Sequence, residues 1–262
     1  MLFGIYYHLE GRPLFSGLGL KYWEAKFNMQ DANIKANGKL TNQKRKPNTF
    51  QAVDTLKDMI LSNELQAGTN HLEAELASLL GMSRTPVREA TLILEAQGLV
   101  SVMPRHGVRI LSISPKDMTE IYQILTELEC LSADLAANKN HPEEEFEDAE
   151  NAIRDMEAAL RDADLEAWAV ADDKFHSELV RLGGNQRVIN IFDMYTDQVK
   201  RARMLTLKLR PIPTKSNEDH RKVLDAIKSC QSDVAVKVHK EHRVQAGQML
   251  VDLLEKFGLS NL

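Results

Sequence analysis

Four side chains in the second half of the chain have the types and the spacing of a metal site. Asp172 and His176 are four residues apart in a helical stretch, so both project from one face of one helix. His220 and His242 lie on the two helices predicted nearest the C-terminus. Three imidazoles and one carboxylate suit a divalent first-row metal, with zinc expected first and nickel or manganese as alternatives. Each histidine taken singly is better explained as a surface or packing residue.

A second set of residues, in the first half of the chain, suits nucleic acid. Arg84 and Arg88 are one turn apart at the start of a predicted helix, which follows a short helix and a tight turn at Gly81. This is the helix-turn-helix pattern, in which the second helix enters the major groove. Taken alone, the same run could be a solvated helix start. The residues predicted to contact DNA are Ser83, Arg84, Thr85, Arg88, His106 and Gly107.

The elements that must position these side chains follow from hydrophobic periodicity and from helix-breaking residues. Residues 48–112 are predicted to form three helices and a hairpin of two short strands, which is a winged helix. Residues 113–262 are predicted to form six helices without strands, in an antiparallel effector-binding and dimerisation bundle. Residues 1–47 mix aromatic, glycine and lysine residues without a period, and are predicted to be a poorly ordered extension. The predicted fold class is therefore mainly α.

The charge distribution separates these three segments. The net charge of −5 divides into +5 over residues 1–47, −2 over residues 48–112 and −8 over residues 113–262. The affinity of the winged helix for DNA must therefore come from a few placed arginines, doubled by dimerisation, and not from a general positive field. Cys130 and Cys230 are the only cysteines, which is typical of a reduced cytoplasmic compartment.

The stretch from Ala77 to Val100, centred on Ser-Arg-Thr-Pro-Val-Arg-Glu-Ala, resembles the winged-helix domain of GntR-family bacterial transcription regulators. The helical remainder resembles the FCD ligand-binding domain of the FadR subfamily, in its shorter, VanR-like form. The resemblance covers roughly residues 48–258. It implies DNA-contact roles for Arg84, Thr85, Arg88, His106 and Gly107. It also matches Asp172 to His176 with the D-x-x-F-H motif of metal-binding FCD domains, and His220 and His242 with the two remaining histidine ligands.

Neighbouring residues offer alternatives to two of these ligands, and two positions depart from the family pattern. Asp173 is the alternative to Asp172, although its spacing to His176 is not that of the family, and His239 could replace His242 or support it from behind. Many relatives carry an arginine ten positions before Arg84, where this chain has Ala74, and another four positions before Glu129, where it has Leu125.

These observations predict a sequence-specific transcription regulator, a repressor by family precedent. Its homodimer would bind a palindromic operator on double-stranded DNA, in the cytoplasm and associated with the nucleoid. A small organic acid would bridge the metal and a nearby polar side chain, with Asn185, Arg201 and Arg203 as candidates. One alternative is a metalloenzyme, although no motif places a separate general base or nucleophile near the four ligands. The other is a regulator that responds to the metal itself.

Overall fold

The computed structural model describes residues 48–258, so the prediction for residues 1–47 lies outside the described residues. The described chain is mainly helical with one small sheet. The elements in chain order are α1 (Asn48–Leu61), β1 (Asn70–His71), α2 (Glu73–Leu80), α3 (Arg84–Ala96), β2 (Val100–Met103), β3 (Gly107–Ile110), α4 (Pro115–Ala137), α5 (Glu147–Arg161), α6 (Leu165–Gly183), α7 (Gln186–Thr206), α8 (Thr214–Lys228) and α9 (Ser232–Lys256). Among these helices, none is long and apolar enough to cross a bilayer.

The winged helix forms because α1, α2 and α3 each bury one apolar side in a shared core. Val87 and Leu94 on α3 are fully buried, and they belong to the same cluster as Leu56 and Ile60 of α1. Gly81 takes the left-handed conformation that ends α2, with φ of 63°, and lets the chain turn into α3. The predicted three helices and hairpin are therefore confirmed.

The sheet has one strand more than the sequence predicted. The order is β1-β3-β2, and the two residues of β1 pair antiparallel with Arg109 and Val108 of β3. A two-residue strand is too short to produce an alternating pattern, so periodicity does not detect it. Gly107 permits the close approach, because a Cβ at this residue would lie 2.3 Å from the carbonyl oxygen of His71.

The helical bundle of α4 to α9 confirms the prediction of six helices. Its first helix begins with a capping box, in which Ser114 Oγ accepts from the amide of Asp117 at 3.0 Å and donates to the carboxylate of Asp117 at 2.6 Å. A short 3₁₀ turn, Glu143–Phe146, precedes α5, whereas the run His141-Pro142-Glu143-Glu144-Glu145 predicts that the helix itself starts there. Small residues bring helices close together: a Cβ at Gly247 of α9 would lie 2.6 Å from the ring of Tyr122 on α4.

Residues from Asn48 onward form one compact unit, in which the winged helix touches the bundle. Helix α7 of the bundle provides contacts to the winged helix: Asp197 pairs with Lys57 of α1 at 2.5 Å. Gln198 donates to the carbonyl of Gln97, just beyond α3, at 2.9 Å. The boundary between residues 112 and 113 stays a prediction from the sequence.

Candidate nucleic-acid interface and metal centre

The start of α3 divides its side chains between the core and solvent. Pro86 and Val87 are buried, whereas Arg84, Thr85 and Arg88 are exposed. Ser83, the residue before the helix, is also exposed, and its side chain makes no capping hydrogen bond. The N-terminal end of α3 therefore offers two guanidinium groups, two hydroxyls and the positive end of a helix dipole to solvent, which suits phosphates and base edges.

The two arginines are free to reach a ligand. The side chain of Arg88 is 72% exposed, and its nearest acidic partner is Glu73, with Nε and Oε1 at 4.0 Å. A contact at this distance between exposed groups stabilises the arginine only slightly, because water screens it. Exchanging Glu73 for a phosphate would therefore cost little.

The tip of the wing is exposed and carries basic residues. His106 is exposed and Gly107 is half-buried, with φ of 84° at Gly107. Sequence reasoning missed Arg105 at the tip, which has φ of 67°, and Arg109 on β3, and both are exposed. A basic residue at a hairpin tip next to a helix-turn-helix is the signal that could have found Arg105.

The four predicted metal ligands converge in the interior of the bundle. The ligand atoms of His176, His220 and His242 all lie within 4.8 Å of one another, and the three side chains are buried. Asp172 lies between two of them, with Oδ2 at 3.6 Å from His176 Nε2 and Oδ1 at 3.6 Å from His220 Nε2. Helices α6, α8 and α9 supply the four side chains, so the cluster exists only when the bundle is folded.

The donor set of this cluster fits a metal ion. Nε2 of His176 and both ring nitrogens of His220 are buried without a hydrogen-bond partner. Unpartnered buried nitrogens are costly, and neutral imidazole nitrogen is a preferred ligand for zinc and its neighbours. Burial, reinforced by His242, holds the pKa of His220 well below its ordinary value. Burial also lowers the pKa of His242, so these rings are kept in the neutral form that a metal requires.

Glu129 on α4, which was used above only as a reference position, is the shared hydrogen-bond acceptor of two buried histidines. His176 Nδ1 donates to Glu129 Oε2 at 2.6 Å, and His239 Nε2 donates to the same oxygen at 3.0 Å. Because an ionised carboxylate only accepts, Nδ1 of His176 carries a proton, and the unpartnered Nε2 is the ring nitrogen available to a ligand. Burial alone would raise the pKa of Glu129, but Arg243, 3.1 Å away, and His176 outweigh it and hold that pKa well below the ordinary value.

The two alternative ligands occupy different places. His239 contacts Glu129, and its side chain forms a second possible triad with Glu129 and His176, in which the ligand atoms also lie within 4.8 Å. Asp173 pairs with Arg203 Nη1 at 2.7 Å. Asp219, which the sequence analysis did not select, lies with Oδ2 at 3.7 Å from His242 Nδ1. An acid one residue before a predicted ligand on the same helix was the signal available for it.

The three candidates for effector binding are spread over α7 and its N-terminus. Asn185 caps α7, and its side-chain oxygen accepts from the amides of Arg187 and Val188. Arg201 is buried and donates to the carbonyl of Leu111, which follows the wing. Arg203 contacts the cluster itself, because its Nη2 donates to Asp172 Oδ2. Among the three, Arg203 has the contact with a predicted metal ligand.

Known proteins share both halves of this arrangement. The family model of bacterial regulatory proteins of the gntR family matches residues 48–110, and that of the FCD domain matches residues 120–245. An uncharacterized HTH-type transcriptional regulator in the TAR-I ttuE-ttuC' intergenic region of Agrobacterium vitis is 39% identical over 131 residues, which cover 49% of this chain and 77% of the relative. The gluconate operon transcriptional repressor of Bacillus licheniformis is 24% identical, over 70% of this chain and 76% of the relative.

Solved structures share the fold. Escherichia coli McbR/YncC superposes with a TM-score of 0.67 at 21% identity, and covers 78% of this chain and 97% of its own. A GntR regulator from Rhodococcus sp. RHA1 gives a TM-score of 0.64 at 20% identity, with the same coverage. The matched families and curated relatives are transcription regulators and not enzymes.

Proposed function

The chain belongs to the GntR family of bacterial transcription regulators with an FCD domain, and from this premise we propose a ligand-responsive repressor whose C-terminal domain holds a metal ion and a small carboxylate. The single observation that carries the DNA-binding part is the exposure of Arg84 and Arg88 on a helix whose opposite side is buried. A helix anchored in this way presents both guanidinium groups in a fixed orientation, so they can select bases as well as phosphates.

Two copies of the chain would read the operator. A dimer places its two recognition helices one helical turn apart, about 34–36 Å, which matches a palindrome. Exposed apolar side chains on α4 support contact between the bundles of two copies. Ile124 is 43% and Leu131 is 41% exposed, and the two residues are seven positions apart, on the same side of the helix. Ser83, Thr85, His106 and Gly107 would complete each half-site contact.

The DNA-binding proposal is tested with a duplex selected from a random library by the wild-type protein. Arg84→Ala should weaken binding of that duplex by about 1–3 kcal/mol for each subunit contact, which is roughly 5- to 150-fold, with the fold intact by circular dichroism. Arg154→Ala is the control, because this arginine is an exposed residue of α5 that pairs with Glu150. Equal affinity of the Arg84 variant and the wild type in fluorescence anisotropy would remove Arg84 from the interface.

The proposed metal site consists of Asp172, His176, His220 and His242. A bound divalent ion would supply positive charge and open coordination positions for an oxygen ligand. The chain's own residues prepare the site: burial lowers the pKa values of His220 and His242 and favours their neutral forms, and Glu129 accepts a hydrogen bond from the proton on Nδ1 of His176. The buried, unpartnered nitrogens of His176 and His220 support a bound zinc, nickel or manganese ion, because a metal would give these nitrogens a partner.

The metal proposal is tested by elemental analysis and by zinc titration of the purified protein. His220→Ala should lower the metal content and abolish most of the zinc-dependent rise in melting temperature, because a ligand of the native state stabilises by mass action. His71→Gln, on the half-exposed β1, is the matched control. Absence of metal in the untreated protein, together with no stabilisation on adding zinc, would refute the site.

The effector is proposed to be a small carboxylate that bridges the metal and Arg203. Arg203 is buried and within hydrogen-bond distance of both Asp172 and Asp173, so it is the effector candidate with a charge at the cluster. A thermal-shift screen of small carboxylates, with and without zinc, tests this. Stabilisation that needs both zinc and Arg203 supports the bridge, whereas a response of DNA binding to zinc alone would make the metal itself the signal.

A further inference from the structure

Helix α7 carries a row of polar side chains that contact the winged helix. Over its C-terminal half, Asp197 Oδ2 pairs with Lys57 Nζ at 2.5 Å, and Gln198 Nε2 donates to the carbonyl of Gln97 at 2.9 Å. Arg201 Nη1 donates to the carbonyl of Leu111 at 2.5 Å. The three partners lie on α1, at the end of the recognition helix, and between the wing and α4. One helix therefore holds the DNA-reading domain at three places.

These contacts are tight enough to transmit a displacement. Arg201 is 1% exposed, and its Nε and Nη2 have no hydrogen-bond partner, so the bond to Leu111 is the one polar contact described for this buried guanidinium. Moving away from that carbonyl would leave the charge unsatisfied. At the end of α3, Gly98 has φ of 68°, and a Cβ there would lie 2.5 Å from Gln198 Nε2. The Gln198 side chain therefore packs directly against the backbone at the end of α3.

The same helix reaches the candidate metal centre two residues further on. Arg203 pairs with Asp172 and Asp173 through its two terminal nitrogens. Arg203 and a divalent cation would compete for the carboxylate of Asp172, because each is stabilised by the same negative charge. The pairing of Arg203 with Asp172 therefore depends on the state of the site, and any adjustment at Arg203 is shared with Arg201, about half a turn away on the same rigid helix.

We propose that α7 couples the cation site to the DNA-reading domain, with Asp197, Gln198 and Arg201 as the positioning residues that hold the winged helix and Arg203 as the residue that responds at Asp172. The inference rests on the proposed function for its cation and its DNA. It adds the route between them, which the family assignment does not provide. Coupling of this kind is reciprocal between ligands, so DNA bound to the winged helix must also alter the affinity of the cation site.

The test is hydrogen exchange measured by mass spectrometry on the full chain, in EDTA and in zinc, with zinc affinity measured in parallel by calorimetry. In the wild type, zinc should change exchange of the amides between Gln97 and Leu111. Gln198→Ala should bind zinc with an affinity within about twofold of wild type but should lose this change at the amides next to Gln97, where its side-chain contact is removed. The matched control is Gln186→Ala, because Gln186 lies on the same helix and bonds only to Asn190 in the described structure.

A second arm needs no metal. In EDTA, Arg203→Lys keeps the charge but not the two-pronged pairing, and it should speed exchange between Gln97 and Leu111 by about fivefold, the effect of weakening one hydrogen bond. In Gln198→Ala the same substitution should add no further change at the amides next to Gln97, because the contact there is already cut.

The outcomes separate the route from the function. The route is wrong if the zinc-dependent change survives in Gln198→Ala, or if zinc binds the wild type without changing these amides. If zinc does not bind at all, the proposed metal fails, and the EDTA arm decides the route alone. There, independent and additive effects of Arg203→Lys and Gln198→Ala would overturn the coupling through α7.

Discussion

Acid should destabilise the metal-free protein well before its carboxylates titrate. Burial lowers the pKa of His239 to about 4, even though Glu129 raises it, and burial also holds the pKa values of His220 and His242 below the ordinary value of 6.5. In the unfolded chain all three rings regain that ordinary value. Between pH 7.5 and 5.5 these histidines therefore bind more protons in the unfolded chain than in the folded chain, and the free energy of unfolding must fall as the pH falls.

The magnitude follows from linkage. A histidine that stays neutral in the folded chain costs about 1.4 kcal/mol when the pH drops from 7.5 to 5.5, because its unfolded form is then almost fully protonated. His239, with a pKa of about 4 in the folded chain, contributes nearly this full amount. His220, whose pKa lies well below its ordinary value, brings the loss to about 3 kcal/mol, a large part of a total stability of roughly 5–15 kcal/mol. The lowered pKa of His242 adds to this loss. Glu129, with its lowered pKa, adds a further loss only at more acidic pH.

The assay is urea unfolding followed by circular dichroism at fixed protein concentration, in EDTA, at half-unit steps between pH 7.5 and 5.5. His239→Gln should reduce the loss by about 1.4 kcal/mol, because one titrating ring is removed. His71→Gln, outside the cluster, should leave the loss as in the wild type. A wild-type loss under about 1 kcal/mol over this range would show that the buried rings accept protons in the folded chain, and would refute the neutral cluster.

Three further outcomes are expected from the packing and hydrogen bonds. Gly247→Ala should destabilise the bundle by about 1–3 kcal/mol, measured by urea unfolding, because its Cβ would lie 2.6 Å from the ring of Tyr122; an unchanged midpoint would mean that the ring moves aside freely. Ser114→Ala should cost about 1 kcal/mol by removing the capping box of α4, whereas Ser114→Asp should restore most of it. Glu129→Gln should weaken zinc binding by about 10- to 100-fold in calorimetry, since the proton of His176 is no longer fixed; unchanged zinc affinity would limit Glu129 to a packing role.

The sequence predicted the features of the fold that depend on local pattern. The run Ser114-Pro115-Lys116-Asp117 has the pattern of a helix start, with a capping serine and a proline at the first position, and it indicates the start of α4 to the residue because both signals act within four residues. Gly81 likewise marked the turn before the recognition helix. By contrast β1 was missed, since two residues carry no period and their pairing with β3 depends on a contact across about 40 positions. The 3₁₀ turn before α5 was missed because acidic residues are equally suited to both kinds of helix start.

The residues of the candidate site likewise divide into those that a local sequence pattern indicates and those that it does not. Asp172 and His176 were found because a spacing of four on one helix is visible in the sequence, and the motif brought in His220 and His242. Glu129 was not found as a functional residue, because it is a lone acid on another helix and its role exists only through its bonds to two imidazoles. Arg201, predicted as an effector contact, donates to the linker carbonyl of Leu111, a partner that no local pattern indicates.

Because only local patterns are visible in a sequence, it can predict both functional sites and still not predict the contacts that join them. The recognition helix and the histidine cluster are each written in short motifs, whereas the contacts of α7 involve a lysine, a backbone carbonyl beside a glycine, and a second carbonyl after the wing. Every residue has a backbone carbonyl, so a hydrogen bond to a carbonyl cannot be recognised from composition or from the spacing of residue types. Gly98 is the exception, because the close approach of Gln198 and the positive φ together require glycine. Gly98→Ala should therefore loosen the winged helix from the bundle without touching either site, which would appear as faster exchange of the amides after Gln97 at unchanged zinc affinity. Unchanged exchange there would mean that the contact between α3 and α7 is not constrained as the structure indicates.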